Sequence, residues 1–390
     1  MFKTERLLSL EGVRVFAFIM VMLAHTGISV LSIRGLGGGV SLFLILNGFL
    51  MAYSYYNKFD NIFNEIGIKN NFFFSIKKLR KLYPLHIITM LMMILFNFIG
   101  PVKNFIKAFV TIFLNTLLID EWFPLSYSIR FANGVSWFLC SLLLAYFLFP
   151  YVLKKIRSFS TKQIYLRLVC ALIIQVLVGI IGSRFPELPF INDAILDNRL
   201  TVWLVYYFPL TRFVDIYIGY NLGVLFIKIK EHEKEYIYRN NDFIISLVEI
   251  LSVILFIVAM IIANLARANA EVLFPNYNHP NLWWSYTAIF TIPSIMLIYL
   301  FAEGKGIVSK IIKKSIFTKI ADISAYGFLI HYVVFQYITK FVLHFNNESA
   351  IMNCLNNNIS YVLLIIGVPM TLLLSWCWKN VPSLIFSDSK

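Results

Sequence analysis

Gly12-Val13-Arg14-Val15-Phe16-Ala17-Phe18-Ile19-Met20-Val21-Met22-Leu23-Ala24-His25-Thr26-Gly27-Ile28-Ser29-Val30-Leu31 is an apolar run interrupted by one arginine and one histidine. Its length, about 20 residues, is what an α-helix needs to cross the hydrocarbon of a bilayer. Lys3 and Arg6 precede it, yet no small-residue cleavage pattern follows at Ala24-His25, so it reads as a first spanning helix and not as a cleaved signal. Similar blocks recur at 38–56, 83–100, 134–153, 163–183, 203–227, 243–264, 282–303, 323–343 and 359–379. The fold expected is an all-α integral membrane protein of about ten transmembrane helices.

Composition agrees. Of 390 residues, 59% are hydrophobic and 14% charged, against roughly 25% charged in soluble domains, and the mean hydropathy is +0.76. In a soluble chain the net charge of +14 would raise the question of nucleic-acid binding. Here topology accounts for most of it. Lysine and arginine concentrate in 57–82, 154–167, 228–239 and 305–319, while the alternate segments hold only Arg34, Lys103, Lys107, Arg130, Arg184, Arg199 and Arg267. The positive-inside rule then puts both termini in the cytoplasm. The block 104–119 is assigned as a re-entrant or interfacial helix, because a full crossing there would turn every later lysine cluster outward. Cys140, Cys170, Cys354 and Cys377 show no paired spacing, and neither a disulfide framework nor a metal site is read from them. One membrane domain over 1–390, with its helical body at about 10–380 and nothing appended, is expected.

Ionisable side chains inside spans are costly and are therefore site candidates. Arg14 and His25 stand eleven residues apart, which on a helix leaves them about 20° apart in azimuth and about 16 Å apart along the axis. They share one face: a cation suited to an anionic ligand near one end, and a histidine suited to general-base work deeper in. A snorkelling arginine and a histidine bonded to a neighbouring helix is the alternative. His331 shares a helix face with Ser324, seven residues earlier, and a backbone-paired histidine competes there with a catalytic one. Arg212 and Asp215, at i and i+3, are read as a structural ion pair. Glu249 has no recognisable context. Lys77, Lys78, Arg80 and Lys81 crowd the start of the third span, on the side where Arg14 opens, and together suit a soluble polyanion. Glycines 35 and 37–39 read as tight turning, Gly219 and Gly223 as a packing notch, and Trp283-Trp284 as an interfacial anchor, with sugar stacking as the alternative.

Six stretches in order resemble the acyltransferase 3 family of membrane acyltransferases. Leu10 to Arg14 followed by His25 is similar to its opening motif, with Glu11 where Asp is usual. Gly39 to Leu50 resembles its second-span motif, with Asn47 replacing Ser, and Lys78-x-x-Lys81 before Tyr83-Pro84 resembles a pair of arginines. Ser136-Trp137-Phe138-Leu139 through Tyr146 and Pro150, Pro209 through Arg212 and Asp215 to Gly219, and Ser324 through His331 complete the series.

The resemblance implies transfer of an acyl group, commonly acetyl, from cytoplasmic acyl-coenzyme A to a hydroxyl of a carbohydrate or lipid-linked glycan at the outer face of a bacterial cytoplasmic membrane. Carried over, Arg14, Lys78 and Lys81 would attend the coenzyme, with Lys77 and Arg80 completing the cationic cluster, and His25 would be the reacting histidine, with His331 joining the catalytic site to orient it or to bind the acceptor. Glu11, Asn47, Trp137, Arg212, Asp215 and Ser324 would support them. Lysines at 78 and 81 keep the charge of the family's arginines but lose the bidentate fork. The rival expectations are a carrier that uses the same intramembrane charges as a translocation path, and a non-catalytic partner in glycan assembly.

Overall fold

The computed structural model describes residues 6–27, 37–98, 105–124, 132–184, 203–233, 242–268, 287–344 and 357–381. Within them the chain is helical, with no strand. The expected positions at Arg34, Trp283-Trp284, Cys354 and most of the connecting segments fall outside the described residues.

The helices follow the apolar blocks. They are α1 (Leu8–Thr26), α2 (Gly38–Tyr55), α3 (Ile68–Leu79), α4 (Tyr83–Phe98), α5 (Phe105–Thr116), α6 (Trp137–Arg157), α7 (Thr161–Arg184), α8 (Pro209–Glu233), α9 (Asp242–Ala268), α10 (Ile289–Glu303), α11 (Ile307–Ile312), α12 (Ser315–His344) and α13 (Ile359–Asn380). Among the described residues eight helices are long and apolar enough to cross a membrane, nine when α3 and α4 are taken as one bent span. α10 is a shorter apolar helix, and the first part of its expected block lies outside the described residues.

Two local features differ from a plain reading of hydropathy. The basic segment 57–82 is largely helix: α3 puts Ile68, Phe72, Phe73 and Ile76 on one exposed stripe while Asn71 donates to the Phe147 carbonyl of α6 at 3.1 Å. Lys69, Asn70, Asn71 and Ser75 between those apolar positions hide the stripe from a sliding average. α3 and α4 meet at a bend of 65°, so the basic cluster sits at a break between two helices. α5, with 12 residues, is too short to span. It doubles back along α4, so that Tyr83 donates its hydroxyl to the Thr116 carbonyl at 3.0 Å.

Glycine sets the two tightest helix approaches. At Gly48 and Gly219 the backbones of α2 and α8 touch, and a Cβ on either would strike a carbonyl oxygen, of Ile216 or Ile45. Packing through small residues is how spanning helices associate where lipid is as apolar as leucine. At Gly327 a Cβ would collide with the Phe18 ring, so its absence lets α12 close onto α1. That contact aligns the two helices that carry His25 and His331.

Glu249 finds its context here. Its buried carboxylate on α9 accepts from the backbone N–H groups of Gly306 and Ser309, both at 3.0 Å, and from the Ser309 hydroxyl at 2.5 Å. It caps the start of α11, where unpaired amide donors and the helix dipole favour a negative charge.

Candidate active site

α1 and α12 bring the two histidines together. His331 Nε2 lies 3.3 Å from His25 Nδ1, and the rings meet edge to face with centroids 4.9 Å apart. Each ring also turns its Nδ1 to the carbonyl one turn back on its own helix, His25 to Val21 at 2.8 Å and His331 to Gly327 at 3.2 Å. A carbonyl only accepts, so this pattern assigns the proton of each neutral ring to Nδ1. His331 Nε2 is then a bare acceptor facing the His25 Nδ1–H, and His25 Nε2 is left as a lone-pair nitrogen. His331 is fully buried, walled by Phe328 and Phe335, whereas His25 is exposed. One histidine is positioned and covered, and the other can be reached.

The opposite end of the same α1 face carries Arg14. Its guanidinium bonds Glu11 at 2.9 Å, and Glu11 also accepts from Arg6 at 3.3 Å. Arg6 and Lys379 converge on Asp322 of α12, which ties three helices together at this end. Asn47 of α2 bonds the Tyr146 hydroxyl of α6 at 3.3 Å, and that hydroxyl lies in the electrostatic field of Arg14. From the basic cluster Lys78 alone turns inward, its ammonium 4.4 Å from the centroid of Tyr55 and 5.5 Å from that of Phe74. Lys77, Arg80 and Lys81 are exposed. Among the described residues no carboxylate pairs with Lys78, so its charge and the unengaged donors of Arg14 fit an anionic group. Tyr55, beside Lys78, and Tyr146, within the field of Arg14, are absent from the expected site residues, and only the spacing of Tyr146 after Trp137 hinted at either.

A family model described as an acyltransferase domain, acyltransferase 3, matches residues 7–378. The chain belongs to this family. It is also 25% identical over 237 residues to the acyltransferase MdmB of Streptomyces mycarofaciens, a match covering 57% of this chain and 58% of that one. No solved structure matches.

The remaining expected residues of this acyltransferase-family chain lie apart from the histidines. Arg212 and Asp215 pair at 2.7 Å with side chains 0% and 1% exposed. Gln175 donates to Asp215 at 2.6 Å and accepts from Thr291 at 2.6 Å, while Arg212 also donates to Ser41 and to the carbonyls of Val205 and Tyr206. Trp137 packs on Tyr206 and Tyr207, with the Arg212 guanidinium 5.9 Å from its ring. Ser324 gives its hydroxyl to the Ala321 carbonyl of its own helix at 2.8 Å. Among the described residues no group of three or more His, Cys, Asp or Glu side chains is placed to hold a metal ion.

Proposed function

We propose that this protein is a membrane O-acyltransferase that moves an acyl group, acetyl in the first instance, from acyl-coenzyme A to a hydroxyl of a carbohydrate or lipid-linked glycan. The observation that carries the reading is the reachable lone-pair nitrogen of His25, held by His331, on the helix face that also presents Arg14. In this reading both termini are cytoplasmic, the membrane is the bacterial cytoplasmic membrane, and the outer-side acceptor belongs to a glycan pathway with its own assembly partners.

Coenzyme A binds with its phosphates against Arg14 and Lys78, the exposed Lys77, Arg80 and Lys81 adding field at the mouth. The pantetheine arm runs along the roughly 16 Å of α1 that separates Arg14 from His25. His25 Nε2 takes the proton of the acceptor hydroxyl as its oxygen attacks the thioester carbonyl. The C–S bond breaks, and the proton passes to the departing thiolate. His331 Nε2, sharing the His25 Nδ1–H with the Val21 carbonyl, steadies the imidazolium formed on the way, as a buried acceptor does behind a catalytic histidine. The same nitrogen has the access needed to carry the acyl group itself as an acyl-imidazole.

The test is acetyl transfer from radiolabelled acetyl-coenzyme A in proteoliposomes by wild type and His25→Ala at matched folded amounts. The expected loss is about 10²- to 10⁴-fold, the range for removing a positioned general base. Unchanged transfer by His25→Ala would overturn the mechanism, and wild-type solute movement without release of free thiol would favour the carrier.

A further inference from the structure

α3 carries Lys78 into the bundle and turns a second surface away from it. With successive residues about 100° apart, Ile68–Leu79 divides among three faces. Asn71, Ser75 and Leu79 are buried and form the packing face, with Lys78 beside them over Tyr55. Ile68, Phe72, Phe73 and Ile76 lie about a quarter-turn round and are between 46% and 75% exposed. Asn70 and Lys77, also exposed, take the third face. Lys69 falls within the apolar face at the first turn, where its long apolar stem lets the ammonium reach out of it.

Such a stripe facing water invites association. Full immersion in hydrocarbon is no better, since Lys69, Asn70 and Lys77 would lose their water. Three faces fit one setting, the boundary of a bilayer, with the bundle on one side, acyl chains on the second and headgroups on the third. The helix is placed for it. It turns 65° away from α4, and its C-terminal end meets Tyr55, the last residue of α2. Its charge has one sign: Lys69, Lys77, Lys78, Arg80 and Lys81 stand between residues 68 and 82 with no acidic residue among them. All but Lys78 are exposed. Cations beside an apolar stripe favour anionic headgroups over zwitterionic ones.

We infer that α3 is a surface helix that docks on the anionic headgroups of the leaflet it faces, and that this docking holds Lys78 over Tyr55. Phe72 and Ile76 enter between the acyl chains, while Lys77, Arg80 and Lys81 meet lipid phosphate. Phe74 joins the docked helix to the site: its ring stacks on Phe149 at 5.9 Å, and the Lys78 ammonium lies 5.5 Å from its centroid. Lifting α3 from the lipid would draw Lys78 away from Tyr55. The exposed cations are then shared with lipid, whereas Lys78 is turned from it. Only the consequence for Lys78 rests on the acyltransferase reading, through the donor phosphates it would hold.

Hydrogen exchange of the α3 amides tests the docking on the full chain, in nanodiscs of phosphatidylcholine alone and of phosphatidylcholine with phosphatidylglycerol. Exchange should be about tenfold slower in the anionic discs, the worth of one or two cations at such a surface, and high salt should shrink the difference. Phe72→Ser combined with Phe73→Ser replaces two exposed rings, so the bundle stays folded, and should remove most of the protection. In the anionic membrane the same double variant should raise the KM for acetyl-coenzyme A about threefold at unchanged turnover, from the lost ordering of one lysine side chain. Wild type and variant meet the same surface potential there, so repulsion of the coenzyme by the lipid cancels from the comparison. Equal exchange in the two discs, a difference indifferent to salt, or full protection in the double variant would overturn the surface. An unchanged KM would overturn its link to Lys78. Lipid-dependent protection in a protein that transfers no acyl group would instead remove the chemistry and leave the surface standing.

Discussion

The Arg212–Asp215 network and the His25–His331 pair lie in one bundle, and their surroundings treat them in opposite ways. Around Arg212 and Asp215 the partners come from α2, α7, α8 and α10, and the charges are enclosed by acceptors and donors that match them. Around the histidines each ring is steadied by one carbonyl, and the outer nitrogen of the exposed ring stays available. A charge taken out of water and fully matched acts as a fastener, because any change leaves a partner unpaired. A base left with one open valence acts as a reagent. The same cost of burial is thus answered by saturation in one place and by use in the other.

The comparison can be broken at its structural side first. Arg212→Met should strand the Asp215 carboxylate and the Val205 and Tyr206 carbonyls, at about 3–5 kcal/mol, the range for removing one member of a buried pair. Thermal unfolding in detergent would show a large drop in midpoint and a reduced folded yield, whatever the assay for transfer reports. A variant as stable as wild type would mean that the network is no fastener. His331→Phe probes the other side. It keeps an aromatic ring among Phe328 and Phe335 but removes one of the two acceptors that share the His25 Nδ1–H, leaving the Val21 carbonyl. Turnover should fall about tenfold, the worth of one hydrogen bond of about 1.4 kcal/mol, with the KM for acetyl-coenzyme A and the unfolding midpoint unchanged. A fall in stability with unchanged turnover would make His331 a packing residue.

Much of this was legible in the residues. Among the described residues a helix lies in each of the ten expected blocks, eight of them long enough to span or nine with the bent pair, because a bilayer leaves a spanning chain few alternatives, and the shared face of Arg14 and His25 follows from helical periodicity alone. The i, i+3 spacing of Arg212 and Asp215 likewise pointed to their pairing. What periodicity does not carry is which helices meet. The approach of His25 to His331 depends on Gly327 against Phe18, a contact between residues more than 300 apart. Glu249 looked contextless because its partners, Gly306 and Ser309, lie on another helix and are mostly backbone. Asp120 and Glu121 stand in a polar stretch with no periodicity to place them, and the return of α5 folds them inside. Lys78 could not be told from Lys77 or Lys81, since only the bend between α3 and α4 decides which of them turns towards Tyr55.

A second ion pair sharpens the comparison at its smallest effect. Arg157, at the end of α6, holds Asp60 in a two-pronged contact at 2.8 and 2.9 Å, and its guanidinium rests 4.8 Å from the Phe59 ring. Geometrically this rivals Arg212–Asp215, but the Asp60 side chain is 77% exposed. The hydrogen bonds from Arg157 hold the Asp60 carboxyl below the usual carboxylate range. A carboxyl depressed in the folded state adds stability above its unfolded pKa, about 3.9, and loses it as pH falls through the folded value. Asp60→Asn should therefore lower the unfolding midpoint slightly at pH 7, less so in high salt, and match wild type once the pH is taken below about 3. Arg212→Met should show its full deficit in high salt, since screening by mobile ions does not reach a pair sealed from solvent. If the two variants responded to salt alike, burial would not be what separates a fastener from a surface contact in this bundle.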